Sequence, residues 1–199
     1  MMGLNFIERD FARRVFDIDF RQFGCKWQFY SVEKPKGLVE ISPDSIEKGK
    51  DNHKIEVQFC AAHSYKDFSL LCSQMKNDIG KCLYIEVGFR SAGIQAYLFF
   101  KYLTTISKYS IKENIKKVAL PGYSQHNNPN NNAIDLCSAN GINGFSGNQT
   151  AADFEKLPEF QWMLVNAHKY NFYLTYPKNN PLGIAYEPWH WCWEKKSNN

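Results

Sequence analysis

Hydrophobic spacing makes the second two-thirds of this chain far more legible than the first. From Tyr65 onward, Phe68, Leu71, Cys72 and Met75 recur at helical spacing, and Gly80 follows as a stop. Leu83 to Val87 is a short apolar run that predicts a strand. Gly88-Phe89-Arg90-Ser91 then reads as a turn into a second helix, with Ile94, Tyr97, Leu98 and Leu103 as its core face. Ala133 to Leu136 predicts a further strand. Phe160, Met163, Leu164 and Ala167 return to helical spacing over 160–170. Phe172 to Leu174 and Ile184 to Trp193 supply the closing strands. Ahead of Tyr65, Phe11, Val15, Phe16, Ile18, Phe20 and Phe23 mix two periods, so their element type stays open. Lys34 to Gly37 and Ser42-Pro43-Asp44 read as turns, and Ile55 to Phe59 alternates like a half-buried strand.

This order of elements predicts an α+β domain over residues 65–199, built on a central antiparallel sheet flanked by helices. Residues 1–64 are expected as an N-terminal extension of open structure. A length of 199 residues suits one sizeable core. No apolar run reaches the length of a membrane span, because Tyr97 to Phe100 is stopped by Lys101. The net charge of +4 is spread along the chain, which gives no nucleic-acid footprint of clustered basic residues. Six cysteines lie at 25, 60, 72, 82, 137 and 192 without a Cys-x-x-Cys pair, which argues against a cysteine zinc knuckle. Disulfides in an oxidising compartment and buried thiols in a reducing one both remain open. Residues 1–10 lack the apolar core of a signal peptide, so the expectation is a cytoplasmic, phage-type protein, or an envelope protein whose export signal has been removed.

Polar residues inside apolar stretches carry the candidate chemistry. Tyr186-Glu187-Pro188-Trp189-His190-Trp191 sets a carboxylate three positions before an imidazole, within a dense aromatic patch. A poorly hydrated histidine suits metal ligation, and a neighbouring glutamate suits proton transfer from water. A buried edge strand with polar groups satisfied by backbone is the plainer reading of the same residues. Asp135 interrupts an apolar strand, and an unpaired aspartate there costs several kcal/mol unless a partner or a cation compensates it. A hydrogen bond to the preceding loop is the plainer alternative. His126 and His190 with Asp135 would leave a zinc ion one open position for water, with Glu187 as proton acceptor. Arg90 stands at a strand-to-helix junction, where a planar guanidinium can bind both oxygens of a carboxylate. Glu187 and His190 would point to opposite faces of a plain strand, so Pro188 is expected to introduce an irregularity. His53 and His63 lack ligand-spaced partners, and His168 is expected to be exposed.

From about Tyr65 to Trp193 the chain resembles the VanY-type D-alanyl-D-alanine carboxypeptidases, zinc peptidases of the group that includes D-Ala-D-Ala dipeptidases and the hedgehog domain. The resemblance rests on Gly88-Phe89-Arg90-Ser91 with Gln95, Pro121 to His126, Ala133-Ile134-Asp135, the Trp162 to Pro177 stretch, and Tyr186 to His190. It implies that His126, Asp135 and His190 bind one Zn2+ per chain, and that Glu187 is the catalytic base. It implies that Arg90, Ser124 and Gln95 contact the substrate, a peptidoglycan stem peptide that loses its terminal D-amino acid. Two departures stand out. The step from His126 to Asp135 is nine positions where the family usually has seven, with Pro129 and asparagines in place of the glycine turn. Glu86-Val87-Gly88 also stands where such enzymes often have a serine before the glycine. An endopeptidase of the same chemistry and a non-catalytic zinc domain that binds a partner are the rival expectations. The oligomeric state is not legible.

Overall fold

A computed structural model describes residues 6–41, 58–130 and 132–195. The turn expected at 42–44, His53, and most of the strand expected at 55–59 lie outside the described residues.

The elements run as α1 (Phe6–Phe16), β1 (Leu38–Ile41), β2 (Gln58–Ala61), α2 (Ala62–Ile79), β3 (Leu83–Val87), α3 (Ala92–Thr105) and α4 (Ile111–Asn114). They continue as β4 (Ala133–Ser138), α5 (Ala151–Glu155), α6 (Pro158–Asn166), β5 (Phe172–Leu174) and β6 (His190–Trp193). Among the described residues, β1 and β2 pair antiparallel, and an antiparallel sheet of four strands has the order β3-β4-β6-β5. The α+β architecture with an antiparallel sheet is thus as the element order predicts.

Gly80 ends α2 in the left-handed conformation at φ 69°, where glycine carries no Cβ penalty. Ser91 caps α3 by accepting from the Ile94 N–H, a contact worth about 1 kcal/mol. Helix α3 is apolar nearly all round, so spacing alone mis-sets its faces. Gln95, Phe99 and Leu103 turn inward, whereas Ile94 and Tyr97 are 54% and 64% exposed. Leu164 of α6 is likewise exposed, with Phe160 and Met163 buried. The last strand is shorter than the apolar run suggests. Residues 184–189 are irregular, and β6 begins at His190.

Among the described residues, two apolar clusters form the core. One packs α2 and α6 against the sheet through Phe68, Leu71, Met75, Leu136, Phe160 and Trp191. The other joins Val15, Phe20 and Cys25 to Phe99, Leu103 and Ile115, so the N-terminal residues share a core with α3. Gly183 tightens this second cluster, because a Cβ there would meet the Gly24 carbonyl oxygen at 2.3 Å. All six cysteines are free thiols.

Candidate metal centre

The sheet register sets the first two groups of the site. Asp135 on β4 and His190 on β6 are direct cross-strand partners, and both are buried. The third group comes from the loop before β4. Ser124 caps a short 3-10 turn over Gln125–Asn127, and its hydroxyl accepts from the His126 N–H at 3.3 Å. The loop absorbs its two extra residues through amide side chains. Asn132 accepts from Cys60 Sγ at 3.0 Å and donates to the His126 carbonyl at 3.4 Å, while Asn127 donates to the Arg90 carbonyl at 3.2 Å.

His126, Asp135 and His190 each offer one ligand atom, and these atoms lie within 4.8 Å of one another. Their hydrogen bonds decide what can sit among them. His126 Nδ1–H donates to the Gly88 carbonyl at 2.8 Å, because a carbonyl can only accept. Its Nε2 lone pair therefore faces Asp135 Oδ2 at 3.2 Å. His190 Nε2–H donates to Gln125 Oε1 at 2.9 Å, which turns its Nδ1 lone pair toward Asp135 Oδ1 at 2.9 Å. Burial holds the His126 ring neutral, with its pKa lowered to about 4 against the pull of Asp135. Two imidazole lone pairs and a carboxylate thus converge on largely buried side chains, an arrangement that calls for a cation. The donor set, two nitrogens and one oxygen, suits zinc with one position left open.

Gly88 is fixed by close approach. A Cβ there would stand 2.0 Å from the Phe59 carbonyl oxygen, so a side chain would push away the carbonyl that orients His126. Arg90 follows it, with Nη2 at 3.4 Å from Asp135 Oδ2 and Nη1 donating to Gln95 Oε1 at 3.0 Å. Gln95 spends its other end on the Ala119 carbonyl at 2.7 Å, so it holds Arg90 in place.

Glu187 lies ahead of β6 in a turn closed by the His190 N–H to Glu187 carbonyl bond at 3.1 Å. That turn at Pro188-Trp189, rather than a plain strand, lets Glu187 and His190 share one cavity. Glu187 Oε2 is 3.9 Å from His190 Nδ1. Burial, and then the nearby Asp135 charge, push the Glu187 carboxyl well above its usual range, with Arg90 opposing. The cavity, about 520 Å³, is lined by all seven residues expected from the sequence: Arg90, Gln95, Ser124, His126, Asp135, Glu187 and His190. His63 lies elsewhere, 4.3 Å from the Trp193 ring, and His168 is exposed.

Several groups escape a reading by spacing. The Tyr176 ring stacks on His190 at 4.8 Å and 23°. Gln125 orients His190 through its Oε1, and its side chain also hydrogen-bonds Tyr30. A glutamine beside a histidine carries no signal of its own. Its role follows from the fold, and partners of this kind typically change metal affinity 10–100-fold. Gln125→Leu is expected to weaken zinc binding by about 10-fold or more in a competition titration against a chelating dye. Unchanged affinity would remove Gln125 from the site.

Comparison with known proteins adds a second line. The family model described as VanY, D-alanyl-D-alanine carboxypeptidase, matches residues 58–196. The D-alanyl-D-alanine carboxypeptidase of Enterococcus faecium is 32% identical over 132 residues, covering 63% of this chain and 35% of that protein. This chain thus spans about a third of the length of the curated relatives it matches. Among solved structures, the LdcB LD-carboxypeptidase aligns with TM-score 0.60 at 27% identity, over 81% of this chain and 69% of that one. A mutant of the vancomycin resistance D,D-pentapeptidase VanY in complex with Zn(II) aligns with TM-score 0.57 at 18% identity, over 83% of each chain, a likeness of fold.

Proposed function

The chain belongs to the VanY family of D-alanyl-D-alanine carboxypeptidases, and from that premise we propose that it is a zinc-dependent carboxypeptidase that removes the terminal D-amino acid of peptidoglycan stem peptides. His126, Asp135 and His190 would hold the zinc. Once bound, the ion would supply a Lewis acid that lowers the pKa of a water to near 7. The remaining work falls to the chain's own side chains. Glu187 takes the proton of the attacking water and returns it to the leaving amine, for which a carboxyl of raised pKa is suited. Arg90, braced by Gln95, presents its guanidinium to the substrate carboxylate or to the charge that develops on the scissile carbonyl. Ser124 shapes the same wall through its cap on the His126 turn. The observation that carries this reading is the convergence of two imidazole lone pairs and a carboxylate beside a buried glutamate in one cavity.

Cleavage of an L,D bond is the second reading, favoured by the likeness to the LdcB LD-carboxypeptidase at 27% identity. Digestion of defined muropeptides, with and without a chelator, separates the two. The expected product from a pentapeptide stem is the tetrapeptide plus one D-alanine, formed in the presence of zinc and not after chelation. Trimming of a tetrapeptide stem would install the L,D reading, and cuts within cross-links would identify an endopeptidase. Zinc bound without any product would make the domain a binding module.

A further inference from the structure

The two candidate histidine ligands are held in different ways. His126 is fixed by its own capped turn and by the Gly88 carbonyl. His190 opens β6 directly after the irregular residues 184–189, so its ring depends on side chains that reach it from elsewhere. Rotation about the bond to an imidazole is broad, and a ligand ring keeps its lone pair on target only through partners at the other nitrogen and on its faces. Gln125 Oε1 accepts from His190 Nε2–H at 2.9 Å, and the buried Tyr176 ring stacks on the imidazole at 4.8 Å. Each of these supports has a support of its own. The Gln125 side chain hydrogen-bonds Tyr30, and Tyr176 meets the Trp27 ring edge-on at 5.9 Å. Both lines therefore end on one short stretch, residues 27–30, which lies ahead of residues 58–196 that match the family model.

That stretch is firmly tied to the rest of the fold. Trp27 Nε1–H donates to the Ile115 carbonyl at 2.9 Å, and the Lys26 N–H donates to the Leu182 carbonyl at 2.9 Å. The Tyr30 N–H donates to the Gly122 carbonyl at 2.7 Å, and Phe29 meets Tyr123 edge-on at 5.4 Å. Gly122 sits at φ 87°, and a Cβ there would stand 2.6 Å from the Phe29 ring, so the two segments touch as closely as glycine allows. The turn gripped in this way is the one that delivers Gln125 and His126.

We infer that residues 27–30 are a positioning element for His190, with Tyr30 acting through Gln125 at Nε2 and Trp27 acting through Tyr176 on the ring face. This inference rests on the reading of His126, Asp135 and His190 as a zinc centre. The experiment uses the whole chain and reads metal binding rather than turnover. Zinc affinity is measured by competition against a chelating dye, and the d–d absorption of the cobalt(II)-loaded protein reports the geometry of the ligands.

Tyr30→Phe keeps the ring and removes the hydroxyl. It is expected to weaken zinc binding about threefold, the scale of one neutral hydrogen bond, and to change the cobalt spectrum. In a Gln125→Leu background the same exchange should cost nothing further, because its route to His190 is already cut. Trp27→Leu is expected to weaken zinc about threefold, the scale of an aromatic pair, and Trp27→Phe should recover most of that loss. Tyr30→Phe reports even if Trp27→Leu fails to fold. Wild-type affinity or a wild-type cobalt spectrum in Tyr30→Phe, or an undiminished loss on top of Gln125→Leu, overturns the positioning role alone. Wild-type protein that takes up no zinc overturns the zinc centre, and this inference with it.

Discussion

Glu187→Gln is expected to cut turnover by about 10³-fold, within the range a positioned general base contributes, while the zinc content stays at the wild-type level. Glutamine keeps the volume and the hydrogen-bonding reach of the carboxylate but cannot accept a proton at neutral pH. The cavity makes that loss severe. The Glu187 side chain is 17% exposed, so bulk water is poorly placed to substitute as base. Burial and Asp135 raise its proton affinity, which brings it closer to that of an activated water and improves the match for transfer. Glu187 is not among the three convergent ligand groups, so the exchange leaves the donor set intact. Single-turnover kinetics on a pentapeptide stem, paired with metal analysis of the same sample, check both halves. Activity within tenfold of wild type would remove Glu187 as the base, and a loss of zinc would make it a ligand.

The site was more legible in the sequence than the surfaces around it, for a physical reason. Asp135 in an apolar strand and His190 between tryptophans violate the pattern of their own elements, and such violations stand out without knowledge of the fold. Their placement as partners across β4 and β6 brings both to one candidate ion site, where a shared cation would compensate them. The nine-residue step from His126 to Asp135, a departure from the usual spacing, is braced by Asn127 and Asn132. The inward face of α3 was misread because Ile94 and Tyr97 are as apolar as Phe99, and only packing against α1 and the 115–120 segment selects among them. Gln125, Tyr176 and Trp27 gave no warning, since each acts through a neighbour that lies far away in the chain. The stretch before Tyr65 stayed opaque for a similar reason. Val15, Phe20 and Cys25 pack with α3 and Ile115, and Ile41 and Cys60 pack with α2 and the sheet.

Removing the metal is expected to lower the melting temperature by about 10 °C as well as to abolish activity, because the donor set is costly to bury empty. At free zinc about a thousandfold above its dissociation constant, binding to the folded chain alone adds about 4 kcal/mol. For a domain of this size, 1 kcal/mol moves the midpoint by about 2–4 °C. The zinc-linked part of the shift should vanish in Asp135→Asn, which keeps the shape of the side chain and removes the charge that both imidazoles face. Acid should act on the metal-free protein in a defined direction. The His126 pKa falls from 6.5 to about 4 on burial, so between those values the unfolded chain binds the extra proton. The stability contributed by the neutral ring is complete above pH 6.5 and is lost as the pH drops toward 4. Thermal melts with zinc and with chelator, run at pH 7.5 and 5.5, test both statements. A midpoint indifferent to chelator at pH 7.5, in protein that takes up no zinc, would leave the convergence of His126, Asp135 and His190 without a cation and the peptidase reading without its centre.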